Sequence, residues 1–294
     1  MKTLGLILVT GASGFIGQNL MSSKMFDQRN MQTISLRSTM IDDLKFENVS
    51  CVIHLAGIAQ LKKETTVRNL YDVNHKLTVG LATKAKKAGV SHFVFLSSTK
   101  VFGEQKTKYS IKDSCQPEDD YSKSKLFAEN DLWLLNDSNF KVTIIRPALV
   151  YGSGVKGNLL AMMKLVKLGL PLPFGKMNNT RSMTYVGNLI AFIKHAIDES
   201  KVGKYIVTDG ADISTTDLVK QLRANMDLPI RLFKIPKILS VLLNRLKPGI
   251  YNRLFGTLSY DVTDAYRSIG FSPLFQPEHG LKIMVDHYLN KEEL

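Results

Sequence analysis

A tyrosine and a lysine, Tyr121 and Lys125, stand four residues apart in the segment YSKSK. On a helix this spacing places both side chains on one face. A phenol is a poor base near neutral pH because its unperturbed pKa is about 10, but a nearby ammonium group favours the phenolate and lowers that pKa. The pair therefore predicts a tyrosine that exchanges a proton with a sugar or alcohol hydroxyl while a nicotinamide exchanges a hydride. Lys125 can also hold the nicotinamide ribose. The alternative is an ordinary amphipathic helix in which the pair arises by chance.

Three residues with hydroxyl groups, Ser97, Ser98 and Thr99, directly follow an apolar segment that is predicted to be a strand. Ser98 lies 23 residues before Tyr121. Open α/β sheets keep their chemistry at the carboxyl ends of the strands. This placement supports the catalytic interpretation of the tyrosine and lysine, which alone would be a weak signal.

The segment TGASGFIG places Gly11, Gly14 and Gly17 three residues apart, after a predicted strand and at the start of a predicted helix. Small residues are needed there because the backbone must approach a pyrophosphate and the helix must pack closely on the strand. The helix N-terminus then supplies free N–H groups and the positive end of a dipole. The pattern in this context predicts dinucleotide binding, against the alternative of a tight turn without a ligand.

The end of the second predicted strand indicates which dinucleotide is bound. An acidic residue there would bind the ribose hydroxyls of NAD, whereas an arginine would accommodate the 2′-phosphate of NADP. This chain has Arg37 and Ser38 at that point, and the next acidic residue is Asp42. NADP(H) is therefore the favoured cofactor and NAD(H) the other possibility. The alternative is a surface arginine, with cofactor choice determined elsewhere.

The elements that must position these residues alternate regularly along the first half of the chain. Apolar segments predict strands at 4–9, 32–36, 51–55, 93–96 and 142–145, and helical spacing predicts helices at 74–88 and 121–135. Apolar strands alternating with helices predict a parallel sheet that is covered on both faces. The fold class is therefore α/β, a doubly wound parallel (Rossmann) sheet with a smaller mixed α/β substrate-binding domain.

The regular alternation weakens after Tyr151, where glycine and proline become frequent. We therefore predict a dinucleotide-binding domain over residues 1–151 and a mainly substrate-binding domain over 152–294, with segments around 181–208 returning to the first domain. The cleft between the two domains is expected at the carboxyl ends of the strands.

Composition excludes several classes of protein. The chain has 294 residues, of which 44% are hydrophobic and 22% charged, so it is globular rather than disordered. The two cysteines, Cys51 and Cys115, form no CxxC pair, which predicts reduced thiols and no metal site. No apolar run approaches the roughly 20 residues of a membrane span. We therefore expect a cytoplasmic protein without stable membrane insertion.

The net charge of +13 comes from 39 Lys and Arg against 26 Asp and Glu. The lysines are scattered, and neither zinc-finger spacing nor an aromatic RNA-binding motif accompanies them. Nucleic acid is therefore not the expected partner. A basic surface does help to steer anions such as a diphosphate towards a cleft.

Residues 230–255 alternate basic and apolar side chains in the stretch IRLFKIPKILSVLLNRLKPGIYNRLF. Pro236 and Pro248 limit any helix between them to about three turns. We expect this helix to cover a domain, and the alternative is that it lies on a membrane surface.

Several motifs together extend almost from end to end of the chain. They are TGASGFIG, VIHLAG, the stretch from YDVNHKL to HFVFLSS, YSKSK, RPALVYG, VKGNLL, GLPLPFG and NTRSMTYVGNL. In this order they resemble the extended short-chain dehydrogenase/reductases of the nucleotide-sugar epimerase/dehydratase group. SSTKVFGE and the VKGN loop resemble bacterial surface-polysaccharide enzymes that act at C4 of UDP-N-acetylhexosamines, many of which are called UDP-glucose 4-epimerases.

The resemblance implies a role for each matching position. Ser98 would hydrogen-bond the reacting C4 oxygen, Tyr121 would be the acid/base and Lys125 its partner. The implied cofactor contacts, besides Arg37 and Ser38, are Gly11, Ser13, Gly14, Phe15, Ile16, Gly17, Leu55, Ala56, Gly57, Asn74, Tyr121, Lys125 and Pro147. The implied substrate contacts are Ser98, Asn158, Arg181, Arg253 and Asp261.

Some of these positions have an alternative interpretation, and two residues depart from the family. Asn74 could instead be a helix N-cap, and Arg253 and Asp261 could be solvated surface residues. Phe102 stands where the family usually has a tyrosine, and Arg37 replaces the acid of NAD-retaining epimerases.

Three functions are compatible with these residues. The favoured one is reduction of a UDP-4-keto-6-deoxy-N-acetylhexosamine at C4, with hydride from NADPH and a proton from Tyr121. The alternative is a UDP-glucose or UDP-N-acetylglucosamine 4-epimerase with tightly bound NAD. A remote third is a redox sensor that binds NADP without catalysis. The resemblance also implies a homodimer formed through the helices at 74–88 and 121–135.

Overall fold

The computed structural model describes residues 5–59 and 66–292. The strands in these residues are β1 (Leu6–Thr10), β2 (Met31–Ile34), β3 (Val49–His54), β4 (His92–Leu96), β5 (Lys108–Ser110), β6 (Lys141–Pro147), β7 (Leu149–Tyr151), β8 (Arg181–Tyr185), β9 (Gly203–Val207), β10 (Asp212–Ile213) and β11 (Ser259–Asp261). The helices are α1 (Phe15–Met21), α2 (Val67–Tyr71), α3 (Thr78–Lys87), α4 (Asp120–Leu135), α5 (Asn158–Lys167), α6 (Val186–Asp198), α7 (Thr215–Asn225), α8 (Lys237–Leu246), α9 (Pro248–Phe255), α10 (Thr263–Ile269) and α11 (Pro277–Glu292). Residue 4, the first of the predicted strand at 4–9, lies outside the described residues.

Six strands form the main sheet in the order β2-β1-β3-β4-β6-β9, and every neighbouring pair is parallel. The order reverses at β1, so the carboxyl ends of β1, β3, β4 and β6 line one edge next to a topological switch point. The predicted doubly wound α/β fold is confirmed.

Both faces of this sheet are buried at its centre, and successive apolar residues of β1, β3 and β4 belong to different cores. Leu8, Val52 and Phe93 pack in one core with α3 and α4. Ile7 and Ile53 point the other way into a larger core that includes side chains of α1 and α6. This burial on both faces explains why the strands are apolar throughout.

Two small sheets complete the structure. β8 lies between β7, to which it is parallel, and β10, to which it is antiparallel. β11 pairs in parallel with β5 and brings residues 259–261 beside residues 108–110. The predicted smaller mixed region is thus present.

The segment around residues 181–208 is divided between the sheets. β8 belongs to the three-stranded sheet, whereas β9 pairs with β6 at the edge of the main sheet, from Thr143 opposite Gly203 to Pro147 opposite Val207. The division of the chain at residue 151 stays a prediction.

The helix predicted for 74–88 is longer than expected. It begins as α2, because the Thr66 hydroxyl accepts a hydrogen bond from the amide of Asn69 (3.2 Å) and caps the helix. A π-helical turn, Asp72–Leu77, then connects α2 to α3. Asn74 lies within this turn, so the alternative of a helix N-cap for Asn74 is wrong.

The basic and apolar segment at 230–255 forms the two short helices α8 and α9. Pro236 precedes α8 and Pro248 occupies the first turn of α9, as predicted. The exposed fractions of Ile238 and Leu246 are 81% and 68%, so these side chains do not cover a domain. No helix in the described part of the chain is both long and apolar enough to cross a bilayer.

Candidate active site

The glycine loop joins β1 to α1 and lies against the chain that leaves β3. Gly11 has a φ of +75°, and a Cβ atom there would lie 2.6 Å from the backbone nitrogen of Ala56. A Cβ atom at Gly17 would overlap the carbonyl oxygen of Gly11. Both positions therefore require glycine, for left-handed backbone at the first and for close packing at both.

The first turn of α1 fits a diphosphate. Gly14 is the N-cap of the helix, and no side chain caps it. Its first-turn amide groups thus remain available to an anion at the positive end of the helix. Ser13 and Gly14 are exposed beside it, while Phe15 and Ile16 are half-buried against the larger core.

A chain of hydrogen bonds that the sequence did not predict supports this loop from below. The Thr10 hydroxyl bonds His54 Nδ1 (2.7 Å), and His54 Nε2 bonds the Thr78 hydroxyl (2.9 Å). Burial, and then the charge of Lys125, lowers the pKa of His54 to about 3, so the ring is neutral. Thr10 also accepts weakly from the amide of Ala56 (3.4 Å). The turn after β3 that contains Leu55, Ala56 and Gly57 is thereby held against β1.

Asn74 fixes the same turn from the other side. Its side-chain amide donates to the carbonyl of Ile58 (2.9 Å) and accepts from the amide of Ile58 (2.8 Å). It also donates to the Ser124 hydroxyl of α4 (3.1 Å). This fully buried asparagine therefore connects the π-helical turn to the loop after β3 and to the helix that carries Tyr121 and Lys125.

Ser98 and Tyr121 come together at the carboxyl end of β4. The N-terminus of α4 is fixed by a capping box in which Asp119 accepts from the amide of Ser122 (2.7 Å), and Tyr121 lies in this first turn. The Ser98 hydroxyl lies close enough to the phenol of Tyr121 to favour the phenolate and so to lower the pKa of Tyr121. Burial nevertheless raises the pKa of Tyr121 to about 12. The sequence-based expectation of a lowered tyrosine pKa is therefore wrong, because burial has the larger effect.

Lys125 lies one turn further along α4 and is only 5% exposed. Its Nζ donates to the carbonyl of Leu96 at the end of β4 (2.9 Å) and lies 4.6 Å from the centre of the Phe95 ring. A Cβ atom at Gly57 would lie 3.2 Å from Nζ, so the glycine leaves room for the ammonium group. Burial lowers the pKa of Lys125 to about 8, while Glu129 acts in the opposite direction.

The lowered pKa predicts that Lys125 destabilises the fold near neutral pH. In the unfolded chain Lys125 would keep the ordinary pKa of 10.5. The loss of folding free energy caused by burying the charged lysine is therefore full below pH 8 and decreases as the pH rises from about 8 to 10.5. We expect Lys125→Met to raise the free energy of unfolding by about 2 kcal/mol at pH 7 and by less at pH 10. Urea unfolding of nucleotide-free protein at both pH values measures this, with Lys123→Met, an exposed neighbour on α4, as the control. A variant that is less stable than the wild type at pH 7 would contradict the prediction.

Below the site lies a buried ion pair that sequence reasoning missed. Glu129 Oε2 accepts from Arg146 Nη2 at 2.5 Å, and both side chains are at most 3% exposed. The Ser97 hydroxyl donates to Glu129 Oε1 (2.5 Å). Arg146 directly precedes Pro147, whose carbonyl accepts from the Thr99 hydroxyl (3.2 Å). The network thus joins α4 to the residues on both sides of Ser98 and to the end of β6.

The predicted substrate residues lie in different settings. Arg181 is half-buried, and its Nη1 donates to the carbonyls of Asn252 (3.0 Å) and Gly256 (3.1 Å) at the end of α9. Arg253 is exposed and near enough to Arg181 for the two charges to repel. Asn158 is exposed at the first position of α5. Asp261 pairs with Lys108 (3.1 Å).

A pocket next to the Ser98–Tyr121 pair extends towards β11. Its lining includes Lys100, Glu104, Asp119 and Tyr260. Lys100 pairs with Asp119 (2.9 Å), and its Nζ lies 5.8 Å from the centre of the Tyr121 ring. Sequence reasoning did not single out Lys100, although its position two residues after Ser98 was the available signal.

The predicted cofactor residues Arg37 and Ser38 follow β2. This strand ends at Ile34, earlier than predicted. Arg37 is exposed, and the Ser38 hydroxyl donates to the carbonyl of Ser35 (3.3 Å). Both residues line an open pocket that also includes Asp42 and Leu77. The main sheet thus has an exposed arginine after β2, where the ribose of a bound dinucleotide would lie.

Residues 7–207, more than half of the chain, match the family that is described as "NAD dependent epimerase/dehydratase family". The chain belongs to this family. The predicted family and the prediction of an enzyme with a nicotinamide cofactor are confirmed. The choice between NAD and NADP stays a prediction.

Two curated members of similar sequence are both named as 4-epimerases. UDP-glucose 4-epimerase of Vibrio cholerae is 35% identical over 96% of this chain and 95% of its own length. N-acetyl-alpha-D-glucosaminyl-diphospho-ditrans,octacis-undecaprenol 4-epimerase of Escherichia coli O157:H7 is 28% identical over 80% of this chain and 77% of its own.

Two solved structures share the fold of this chain. MoeE5 in complex with UDP-glucose and NAD has a TM-score of 0.75 at 21% identity, covering 98% of this chain and 100% of MoeE5. RMD from Pseudomonas aeruginosa complexed with NADPH has a TM-score of 0.77 at 18% identity, covering 98% of this chain and 99% of RMD. The same architecture therefore occurs with either nucleotide, and the fold does not decide between them.

Proposed function

We propose that this chain is an NAD-retaining 4-epimerase that acts on a UDP-hexose. One observation carries the proposal: the Ser98 hydroxyl lies beside the Tyr121 phenol at the carboxyl edge of the sheet, in a chain that matches a UDP-glucose 4-epimerase over 96% of its length. The epimerase was the alternative to reduction in the sequence analysis. Both curated relatives are 4-epimerases by name, and one of them is matched over 95% of its length, which favours the epimerase over the reductase.

The two hydroxyl groups have distinct roles in this proposal. Tyr121 takes the proton from the C4 hydroxyl of the sugar and later returns it, while Ser98 hydrogen-bonds the C4 oxygen and holds it beside the phenol. Because burial raises the pKa of Tyr121 to about 12, deprotonation requires additional positive charge nearby. Lys125 supplies part of that charge.

A nicotinamide bound over the sheet edge would accept the C4 hydride and give it back to the opposite face of the sugar. The residues proposed to hold this cofactor are the glycine-loop residues Gly11, Ser13, Gly14, Phe15, Ile16 and Gly17, together with Ser38, Leu55, Ala56, Gly57, Asn74, Tyr121, Lys125 and Pro147. Arg37 lies in the same pocket as Ser38 but would contact only the 2′-phosphate of NADP. Lys125 is suited to bind the ribose, because an ammonium group has three donors and the Leu96 carbonyl takes one of them.

We assign the diphosphate of the substrate to Arg181. Its guanidinium is anchored through Nη1 to the end of α9 and has further N–H donors for a bidentate contact. Arg253 and Asn158 are proposed as neighbouring contacts. Asp261 is a poorer candidate, since its carboxylate already pairs with Lys108 and accepts from the amide of Thr263 (3.1 Å). By their names, both curated relatives act on a hexose that is attached to a diphosphate.

The experiment that tests the proposal identifies the bound nucleotide. Denaturation of the purified protein followed by mass spectrometry is expected to release NAD in near-stoichiometric amount, because an epimerase regenerates its cofactor in each turnover and gains by retaining it. Protein that is empty and binds NADPH more tightly than NADH would contradict the proposal.

The position of Arg37 favours a second function, the reduction of a UDP-4-keto sugar with NADPH. It is exposed in the pocket at the end of β2, where a 2′-phosphate would lie. A reductase must exchange its cofactor, whereas an epimerase need not. The same Ser98, Tyr121 and Lys125 would serve either reaction.

Replacement of Arg37 separates the two functions. For the epimerase we expect Arg37→Ala to retain NAD in the same amount as the wild type, because NAD has no 2′-phosphate for the guanidinium to bind. The reductase would instead show a rise of about tenfold or more in the Kd for NADPH, from loss of a charge-assisted contact. Arg68→Ala, at an exposed arginine of α2, is the control.

A further inference from the structure

Exposed apolar side chains are concentrated on one part of the second half of the chain. They come from the turn after α5, the segment before α8 and α8 itself. The members are Leu168, Leu170, Ile230, Phe233, Ile238, Val241, Leu242 and Leu246, with exposed fractions from 46% to 81%. We call this set the α8 surface.

The segments that form the α8 surface are held together. Arg223, which is fully buried, donates through Nη1 to the carbonyl of Pro229 (2.6 Å) and through Nη2 to the carbonyl of Leu170. The amide of Phe233 donates to the carbonyl of Leu172 (3.0 Å). The turn after α5 and the segment before α8 are therefore fixed side by side.

α8 contributes an apolar stripe to this surface. Ile238, Val241, Leu242 and Leu246 recur at helical spacing and lie on one side of the helix, with exposed Arg245 between them. A stripe of this kind is usually buried against the protein. Here it points away from the chain, which predicts a partner.

The charge of the contributing segments indicates what that partner is. Residues 138–197 and 228–260 contain no aspartate or glutamate, and the second stretch carries six arginine and lysine residues. A surface without carboxylates that combines basic and aliphatic side chains is complementary to anionic headgroups and to the acyl chains beneath them. A second copy would bring like charges together, and single-stranded nucleic acid would favour more aromatic side chains than Phe233.

We propose that the α8 surface docks this protein on an anionic phospholipid bilayer. The aliphatic side chains enter the headgroup region, and the basic side chains contact lipid phosphates. α8 leads directly into α9, whose end accepts two hydrogen bonds from Arg181. The proposal does not depend on the proposed function, since it concerns a surface outside the Ser98–Tyr121 site.

Vesicle flotation tests the proposal on the full chain. The wild type is expected to partition onto vesicles of phosphatidylcholine and phosphatidylglycerol at least about tenfold more than onto phosphatidylcholine alone. The double variant Val241→Glu/Leu242→Glu should lose about tenfold or more of this binding. Leu274→Glu, a change at an exposed leucine that is not a member of the α8 surface, should bind like the wild type.

A second double variant, Arg245→Gln/Lys247→Gln, tests the contribution of the basic side chains separately. It also replaces the glutamate variant as the test if thermal melting shows that the glutamate variant is unfolded. This variant should also bind the anionic vesicles more weakly, by about fivefold or more. Three results would overturn the proposal: no preference of the wild type for anionic vesicles, equal loss in Leu274→Glu, or a glutamate variant that binds vesicles normally but no longer self-associates in light scattering. The last result would assign the α8 surface to a second copy of the chain.

Discussion

Tyr121→Phe is expected to lower kcat by about a thousandfold, because a positioned acid/base contributes about 10²–10⁴ to such a rate. The phenol of Tyr121 lies beside Ser98 at the carboxyl end of β4, where the proposed proton transfer takes place. The change removes one oxygen atom and keeps the ring, so we expect the free energy of unfolding to change by less than about 1 kcal/mol. Nucleotide content and turnover should be measured on the same preparation.

The control for this variant is Tyr205→Phe. The Tyr205 hydroxyl donates to the carbonyl of Val202 (2.9 Å) near the amino end of β9, at the opposite edge of the sheet from Ser98. Its loss is expected to leave kcat within about twofold. Turnover of Tyr121→Phe at the wild-type rate would remove the whole catalytic assignment, whichever of the two reactions the protein performs.

Glu129→Ala is expected to lower the free energy of unfolding by about 3–5 kcal/mol, which is typical for removing one partner of a buried ion pair. Arg146 would remain 3% exposed without its carboxylate, and Ser97 would lose the acceptor of its 2.5 Å hydrogen bond. Glu129→Gln keeps the shape and one acceptor, so its loss should be smaller, at about 2 kcal/mol. Urea denaturation measures both.

Asp131→Asn is the matched control, two residues along the same helix. Asp131 also pairs with a side chain of another helical segment, His75 at 2.6 Å, but the Asp131 side chain is 47% exposed. Exposed pairs contribute little, so the loss should be below about 1 kcal/mol. If Glu129→Ala were no less stable than Asp131→Asn, the buried network would not support the site in the way described.

Local motifs were predictable from the sequence because short-range geometry determines them. The glycine loop needs only a strand, three glycines and a helix, and Tyr121 and Lys125 need only one helical turn between them. The main sheet followed from apolar strands that alternate with helices. These features depend on residues that are neighbours in the chain.

The Glu129 network was not predictable in the same way. It joins a helix to the ends of two strands, 17 and 32 residues distant, and such pairings arise only when the sheet has formed. The direction of the Tyr121 pKa shift was wrong for a related reason. Sequence reasoning counted the charge of Lys125 but not the burial of the phenol, which dominates in the structure.

α8 illustrates another limit of sequence reasoning. Its composition suits a helix that covers a domain as well as one that lies on a membrane, because both need an apolar stripe. Only the arrangement of α7, α9 and the turn after α5 determines that Ile238 and Leu246 remain exposed. The sequence predicted the helix but not what it faces.

The central claim, epimerisation at C4 with retained NAD, is tested most directly by proton NMR. UDP-glucose and UDP-N-acetylglucosamine would be incubated with the purified protein in D₂O without added nucleotide. We expect the C4 epimer of at least one sugar to accumulate to equilibrium and to keep its C4 proton, because the hydride returns to the carbon from which it came. Absence of either epimer, together with NADPH-dependent reduction of a UDP-4-keto sugar, would contradict this claim.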